Sequence, residues 1–176
     1  MPKTPPEDPA DDDEDDGEKK APVRNYITLE GYRKLTEEFD FLRFKKRREV
    51  VNALTVAAAE GDRSENAEYI YRKRQLRQID SRIRFISKRL DIAVVVDPRE
   101  QKRRDRVFFG ATVVVEDDEG EAFTYRLVGS DEIESAGGAI SWRSPVGQAL
   151  LGKTPGDTVT VRVGASERTL TIVRIE

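Results

Sequence analysis

The chain has 176 residues, 31 Lys and Arg against 34 Asp and Glu, a net charge of -3, and neither Cys nor His. That length holds one or two small domains, and the missing residue types exclude a disulfide framework, a thiol or imidazole nucleophile, a Ser-His-Asp triad and the usual zinc sites. Any metal must therefore be a hard ion held by oxygen.

Charge divides the chain more informatively than its total. Residues 1–20 carry nine acids against three lysines, a net of -6; residues 21–91 carry 17 basic and 11 acidic residues, a net of +6; residues 92–176 carry 11 and 14, a net of -3. The basic middle is where a polyanion or an acidic protein wall would be met. No stretch approaches the ~20 apolar residues of a membrane span, and the N-terminus lacks the pattern of a signal peptide. A soluble, cytoplasmic, monomeric protein with no membrane partner is expected.

Residues 1–24 hold five prolines and the acidic run 11–16, with almost nothing apolar, and are expected to be a disordered acidic tail. It is either a solvated tail or a weak, salt-sensitive competitor that folds back on the basic middle. Thr28 is a suitable N-cap for a helix over residues 29–59. Tyr32, Leu35, Phe39 and Leu42 follow the 3-4-3 spacing of a coiled-coil seam. Lys46 and Glu49 then fall where apolar residues belong, and Val50, Ala53 and Ala57 resume one step later, which reads as a four-residue stutter that unwinds the supercoil.

A second helix starts near Ser64, with Tyr69, Arg72, Leu76, Ile79, Ile83, Ile86 and Leu90 on one seam. A bend of a few residues makes the two helices antiparallel, so residues 25–96 form a coiled-coil hairpin about 45 Å long at ~1.5 Å per residue. The bend is Gly61-Asp62-Arg63-Ser64-Glu65-Asn66-Ala67-Glu68-Tyr69. Two readings stand open for it. Gly61 stops the first helix, Asp62 caps the second and Glu65 closes a capping box; or the hairpin holds both acids at its far end to share a metal ion with another molecule. Level pairing puts Lys45, Lys46, Arg47 and Arg48 opposite Lys73, Arg74 and Arg77, a basic girdle ~20 Å short of the tip. Few acids stand at i+4 to pair with it, so it is either a solvated face or a grip for phosphates.

Residues 91–106 form a charged connector with a short strand at 94–96. From residue 107 the period turns to strands: 107–115 and 122–128 flanking Asp117-Asp118-Glu119-Gly120, a short strand at 140–142, a helix at 145–151 opened by Ser144, and a second hairpin of 158–163 with 169–175. The fold class is thus α+β: an N-terminal antiparallel helical hairpin, then a small β-rich domain over residues 97–176.

Taken together, these segments resemble the bacterial transcript cleavage factors of the GreA/GreB family, and its GreB branch more closely. The tip motif with its Arg63-Ser64 pair, the basic run Tyr71-Arg72-Lys73-Arg74-Gln75-Leu76-Arg77, and Leu29-Glu30-Gly31-Tyr32 carry the likeness. So do Val107-Phe108-Phe109-Gly110-Ala111 and Ser144-Pro145 with Ala149-Leu150-Leu151-Gly152-Lys153. The resemblance covers residues 25–176. It implies an FKBP-like C-terminal domain that docks at the rim of the secondary channel of bacterial RNA polymerase through Arg143, Ser144 and Pro145. The arm would then reach the polymerase active site.

There Asp62 and Glu65 would assist catalysis by helping to hold the second magnesium ion, a cofactor of the polymerase and not of this chain. Gly61, Ser64, Asn66 and Tyr69 would support the tip. Lys45, Lys46, Arg47, Arg48, Arg72, Lys73, Arg74 and Arg77 would bind the 3′ segment of backtracked nascent RNA. The chain would stimulate cleavage by the polymerase without being an enzyme itself. A channel-occupying homologue that inhibits without promoting cleavage is the alternative. Three features depart from the usual pattern: the acidic tail, Arg48 in place of a proline, and Arg143 in place of Asp or Asn.

Overall fold

The structure, a computed structural model, describes residues 24–59, 66–133, 137–164 and 166–176. It begins with a short strand, β1 (Asn25–Thr28), paired in parallel with β2 (Ala93–Val96), the strand that leaves the helical arm. Parallel neighbours need a long crossover, and the hairpin supplies it. Thr28 ends β1 and caps α1 (Leu29–Asp40), its Oγ1 accepting from the Gly31 N–H at 3.0 Å. The sequence reading finds Thr28 and the strand near 94–96 but omits β1, whose four residues are too few to display a period.

The first helix runs through a π-helical turn, Phe41–Lys46, into α2 (Arg47–Ala59). Leu35, Val50 and Ala57 are buried and Leu42 half-buried. From 35 to 42 to 50 to 57 the steps are seven, eight and seven residues. The single surplus residue is absorbed by an i to i+5 bond, Arg47 N–H to Leu42 O. The seam therefore slips where the sequence indicates, but through a one-residue insertion and not the expected four-residue stutter.

The second helix, α3 (Ala67–Asp91), begins three residues later than expected, with Asn66 as its N-cap. Ile79 and Ile86, one heptad apart, are its buried residues. Near the base, Ile27, Leu35 and Ile86 form a small core covered by Tyr32, Phe39, Leu42, Leu90 and Ala93. Arg82 grips Glu38 across the pair through two bonds of 2.7 and 2.8 Å, as the antiparallel pairing requires.

Past a 3-10 turn at Pro98–Glu100, the C-terminal domain is a five-stranded sheet in the order β5-β4-β3-β7-β6. Its elements are β3 (Thr112–Asp117), β4 (Ala122–Val128), β5 (Ala139–Ser141), α4 (Pro145–Leu150), β6 (Thr158–Val163) and β7 (Ser166–Ile175). All neighbours are antiparallel except β4 and β5. Val113 and Val115, Val159 and Val161, and Leu170 and Ile172 alternate into one core with Val107, Phe108, Leu127 and Leu150. The strand expected from residue 107 starts only at Thr112. Before it, the Val107 N–H donates to Lys153 O, and Gly110, at φ 92°, turns its N–H to Leu127 O. The β3–β4 turn is as expected: Asp117 Oδ1 accepts from the Glu119 and Glu121 N–H groups, and Gly120 takes φ 82°.

The sheet domain meets the arm at its base. Asp131 accepts from Asn25 Nδ2 at 2.9 Å and Arg89 Nε at 2.7 Å. Glu132 accepts from the Thr28 and Gly129 N–H groups at 2.9 and 2.8 Å and from the Thr28 hydroxyl. Tyr26 packs edge-on against Trp142 at 5.6 Å. These contacts gather at β1, the first turn of α1 and the last turn of α3. The ends at Ala59 and Asn66 thus stand at the far end of an arm whose 25-residue α3 spans about 38 Å. No helix among the described residues is long and apolar enough to cross a membrane.

Candidate functional site: the end of the helical arm and its basic faces

The arm's far end is drawn together by one side chain. Asn66 Oδ1 accepts from the Tyr69 N–H at 3.1 Å, capping α3, while Asn66 Nδ2 donates to Ala57 O at 2.9 Å in the last turn of α2. One residue thus satisfies an orphan donor of one helix and an orphan acceptor of the other. The cap is Asn66, not Asp62 as the capping reading has it. Tyr69 is half-buried beside it, with Lys73 Nζ 5.9 Å from its ring centre. Gly61, Asp62, Ser64 and Glu65 lie outside the described residues. They belong to the six-residue link that joins Ala59 to Asn66.

About 10 to 20 Å back from this end lie the basic residues. Arg47 Nε bonds Asp80 Oδ1 at 2.8 Å, so the level pairing is shifted from the expected one: Arg77 stands about one turn, and Arg72, Lys73 and Arg74 about two turns, nearer the arm's far end than Arg47. More of them are paired than i+4 spacing implies. Lys46 meets Glu49 at 3.5 Å, and Arg72 meets Glu68 at 2.7 Å and Gln75 at 3.2 Å. Arg48, Lys73, Arg74 and Arg77 are exposed and have no carboxylate within ion-pair distance among the described residues, as has Lys45. Exposed pairs contribute only about 0–1 kcal/mol, so the paired members are also open to exchange for a phosphate.

Aromatic rings are interleaved with these cations, a feature the sequence reading passes over. Arg43 lies over Phe39 and Phe44 at 5.5 and 5.4 Å, Lys45 over Phe41 at 5.9 Å, and Arg72 over Tyr71 at 5.4 Å. The available signal was the four-residue step between Phe39 and Arg43 and between Phe41 and Lys45, which stacks side chains on one face.

On the sheet domain, Ser144 caps α4, its Oγ accepting from the Gly147 N–H at 3.0 Å, with Pro145 in the first turn. Arg143 is turned to the arm's base: its guanidinium donates to Arg24 O at 3.2 Å and covers the Trp142 ring at 5.1 Å. Arg143 and Pro145 are exposed, and Ser144 is half-buried.

Both parts of this architecture match known family models. Residues 25–95 match "Transcription elongation factor, N-terminal", and residues 100–176 match "Transcription elongation factor, GreA/GreB, C-term". The chain belongs to the GreA/GreB family of transcription elongation factors. It is 49% identical over 151 residues to transcription elongation factor GreB of Haemophilus influenzae, covering 86% of this chain and 95% of that one. With GreB of Neisseria meningitidis serogroup B the identity is 44% over 154 residues, 88% and 94% of the two chains. Among solved structures, GreA factor homolog 1 of Thermus thermophilus aligns over 87% of this chain and 99% of its own, at 24% identity and a TM-score of 0.40. The two family models together span both the arm and the sheet domain.

Proposed function

We propose that the chain binds bacterial RNA polymerase through its secondary channel and stimulates the polymerase's own cleavage of backtracked nascent RNA. The observation that carries this reading is the arm's far end. Asn66 ties α2 to α3 there, and the six residues it closes off include Asp62 and Glu65, while the sheet domain is bonded to the opposite end. A slender pair of helices whose sheet domain, among the described residues, sits at one end is suited to reaching into a partner. The identity to factors named GreB supports the same assignment.

The donor set suits magnesium. With neither His nor Cys in the chain, Asp62 and Glu65 offer hard oxygens, and magnesium usually takes only one or two protein carboxylates and keeps several waters. No group of three or more potential ligands occurs among the described residues. On that chemistry the pair would serve as added ligands in a site whose other ligands belong to the polymerase, which would carry the nuclease activity. When bound there, the ion would activate water and stabilise the displaced oxygen. This chain's residues do the rest. Asn66 and Tyr69 hold the tip, Arg48, Arg74 and Arg77 with their neighbours bind phosphates of the extruded RNA, and the segment Arg143-Ser144-Pro145 meets the channel rim.

The test adds the protein to a stalled, backtracked polymerase complex. Asp62→Asn and Glu65→Gln are expected to lower formation of a shortened, re-extendable transcript by at least an order of magnitude while polymerase binding persists. Binding with no cleavage by the unsubstituted chain would instead identify a channel-occupying inhibitor. Cleavage of free RNA without polymerase would make the chain an enzyme in its own right.

A further inference from the structure

The π turn Phe41–Lys46 buries none of its six side chains. It nevertheless carries two large rings at the surface: Phe41 is 48% and Phe44 60% exposed. Core packing accounts for one surplus residue in this turn, but not for phenylalanines on its outer side. Around them stand Arg43, Lys45, Lys46, Arg47 and Arg48, five cations in six positions. Arg43 lies over both Phe39 and Phe44, yet Phe44 keeps most of its surface open. Seven-residue stepping would have turned Lys46 and Glu49 into the seam. The inserted residue puts Val50 there and leaves Arg43, Lys45, Arg47 and Arg48 exposed, with Lys46 half-buried.

We infer that this turn is a base-stacking site for single-stranded RNA. Phe44 and Phe41 take the faces of unpaired bases, Arg43 stacks beside Phe44, and Arg48 and its neighbours hold the adjoining phosphates. Exposed rings among cations are the recurring platform for unpaired nucleic acid, since every base offers a π-face whatever its sequence. A protein partner would gain from the rings but be repelled by this density of charge unless it were strongly acidic, so the charge favours a polyanion that also carries flat apolar groups. The inference rests on the reading that extruded RNA runs beside the arm, and adds bases to what was a phosphate grip.

The experiment compares the full chain's affinity for a labelled oligouridylate and for an abasic ribose-phosphate oligomer of equal length, over a range of salt. The base-bearing strand is expected to bind roughly 5- to 100-fold more tightly. Phe44→Leu, and more so Phe41→Leu with Phe44→Leu, should remove most of that preference without changing the salt slope, which counts phosphates. Phe44→Tyr should keep it, and Arg48→Ala with Arg74→Ala should reduce the slope and spare the preference. An unchanged preference in the leucine variants, or an equal loss on both strands, overturns the inference. So does a leucine variant that weakens polymerase binding alone, because the rings then dock protein. No polymerase enters the RNA measurement, so its outcome is separate from that of the cleavage test.

Discussion

Asn66 is where the chain concentrates most at a single residue. Its side chain bonds Tyr69 N–H and Ala57 O, so it both starts α3 and fastens it to α2. Asn66→Ala removes both bonds and should cost about 1–2 kcal/mol, the worth of an N-cap. Asn66→Asp keeps the acceptor for Tyr69 N–H but not the donor to Ala57 O, and should fall between. Hydrogen exchange resolves the two effects. The alanine variant should lose protection at both helix ends and the aspartate variant only at the end of α2; under the proposed function, cleavage stimulation falls in step. Protection unchanged in the alanine variant would show that the packing of α2 on α3 suffices. The motif around Asn66 was legible as a bend, but which polar residue caps was not. Asp62, Ser64 and Asn66 are all good N-cap types, and only the second bond to Ala57, across the hairpin, singles out Asn66.

At the scale of elements, the arm was readable because its periods are long. Two helices and the place of the seam slip follow from apolar spacing, and their antiparallel sense from the short bend between them. How the slip is taken up does not follow, because an inserted residue and a stutter leave similar marks in a short seam. Removal of one residue discriminates. Deleting Lys45 turns the seven, eight and seven steps of Leu35, Leu42, Val50 and Ala57 into three heptads, and the π turn becomes superfluous. The shortened chain should keep its helix content by circular dichroism and melt no lower than the parent. A clearly lower melting temperature would mean that the π turn is held by packing and not by residue count. Strand limits were less legible than helices: residues 107–111 are apolar enough for a strand but are drawn into the core by bonds to Lys153 and Leu127, partners remote in sequence.

For the molecule as a whole, what matters is how the arm is aimed, and this depends on a junction no local pattern discloses. Asp131 and Glu132 sit in an ordinary-looking loop, yet their partners Asn25 and Thr28 lie more than 100 residues away. One outlying link titrates. Glu30 is held below the usual carboxylate range, first by its hydrogen bond with Arg126 and then by Lys34. Because the folded value is the lower one, this link contributes fully above the unfolded value of ~4.3 and is lost as pH falls through the folded value. Glu30→Gln should therefore alter stability near neutrality and have no effect in the most acidic range, in thermal melts followed against pH. The central contact is tested by a double substitution. Gly31 leaves the notch into which the Glu132 carboxylate fits, and a Cβ there would overlap it. Gly31→Ala should displace the carboxylate from the Thr28 and Gly129 N–H groups, as Glu132→Ala does outright. Thr28 is only 1% exposed, so its stranded donors cost about 1–3 kcal/mol. For a chain of this length that is a fall of about 2–4 °C per kcal/mol. Once Glu132 is alanine, however, the three atoms nearest that Cβ are gone, and Gly31→Ala should add up to ~1 kcal/mol of stability through helix propensity. The pair should thus be strongly non-additive, with the second substitution changing sign. Additive losses in calorimetry would show that Gly31 is needed for some other reason and that the carboxylate does not set the angle between arm and sheet.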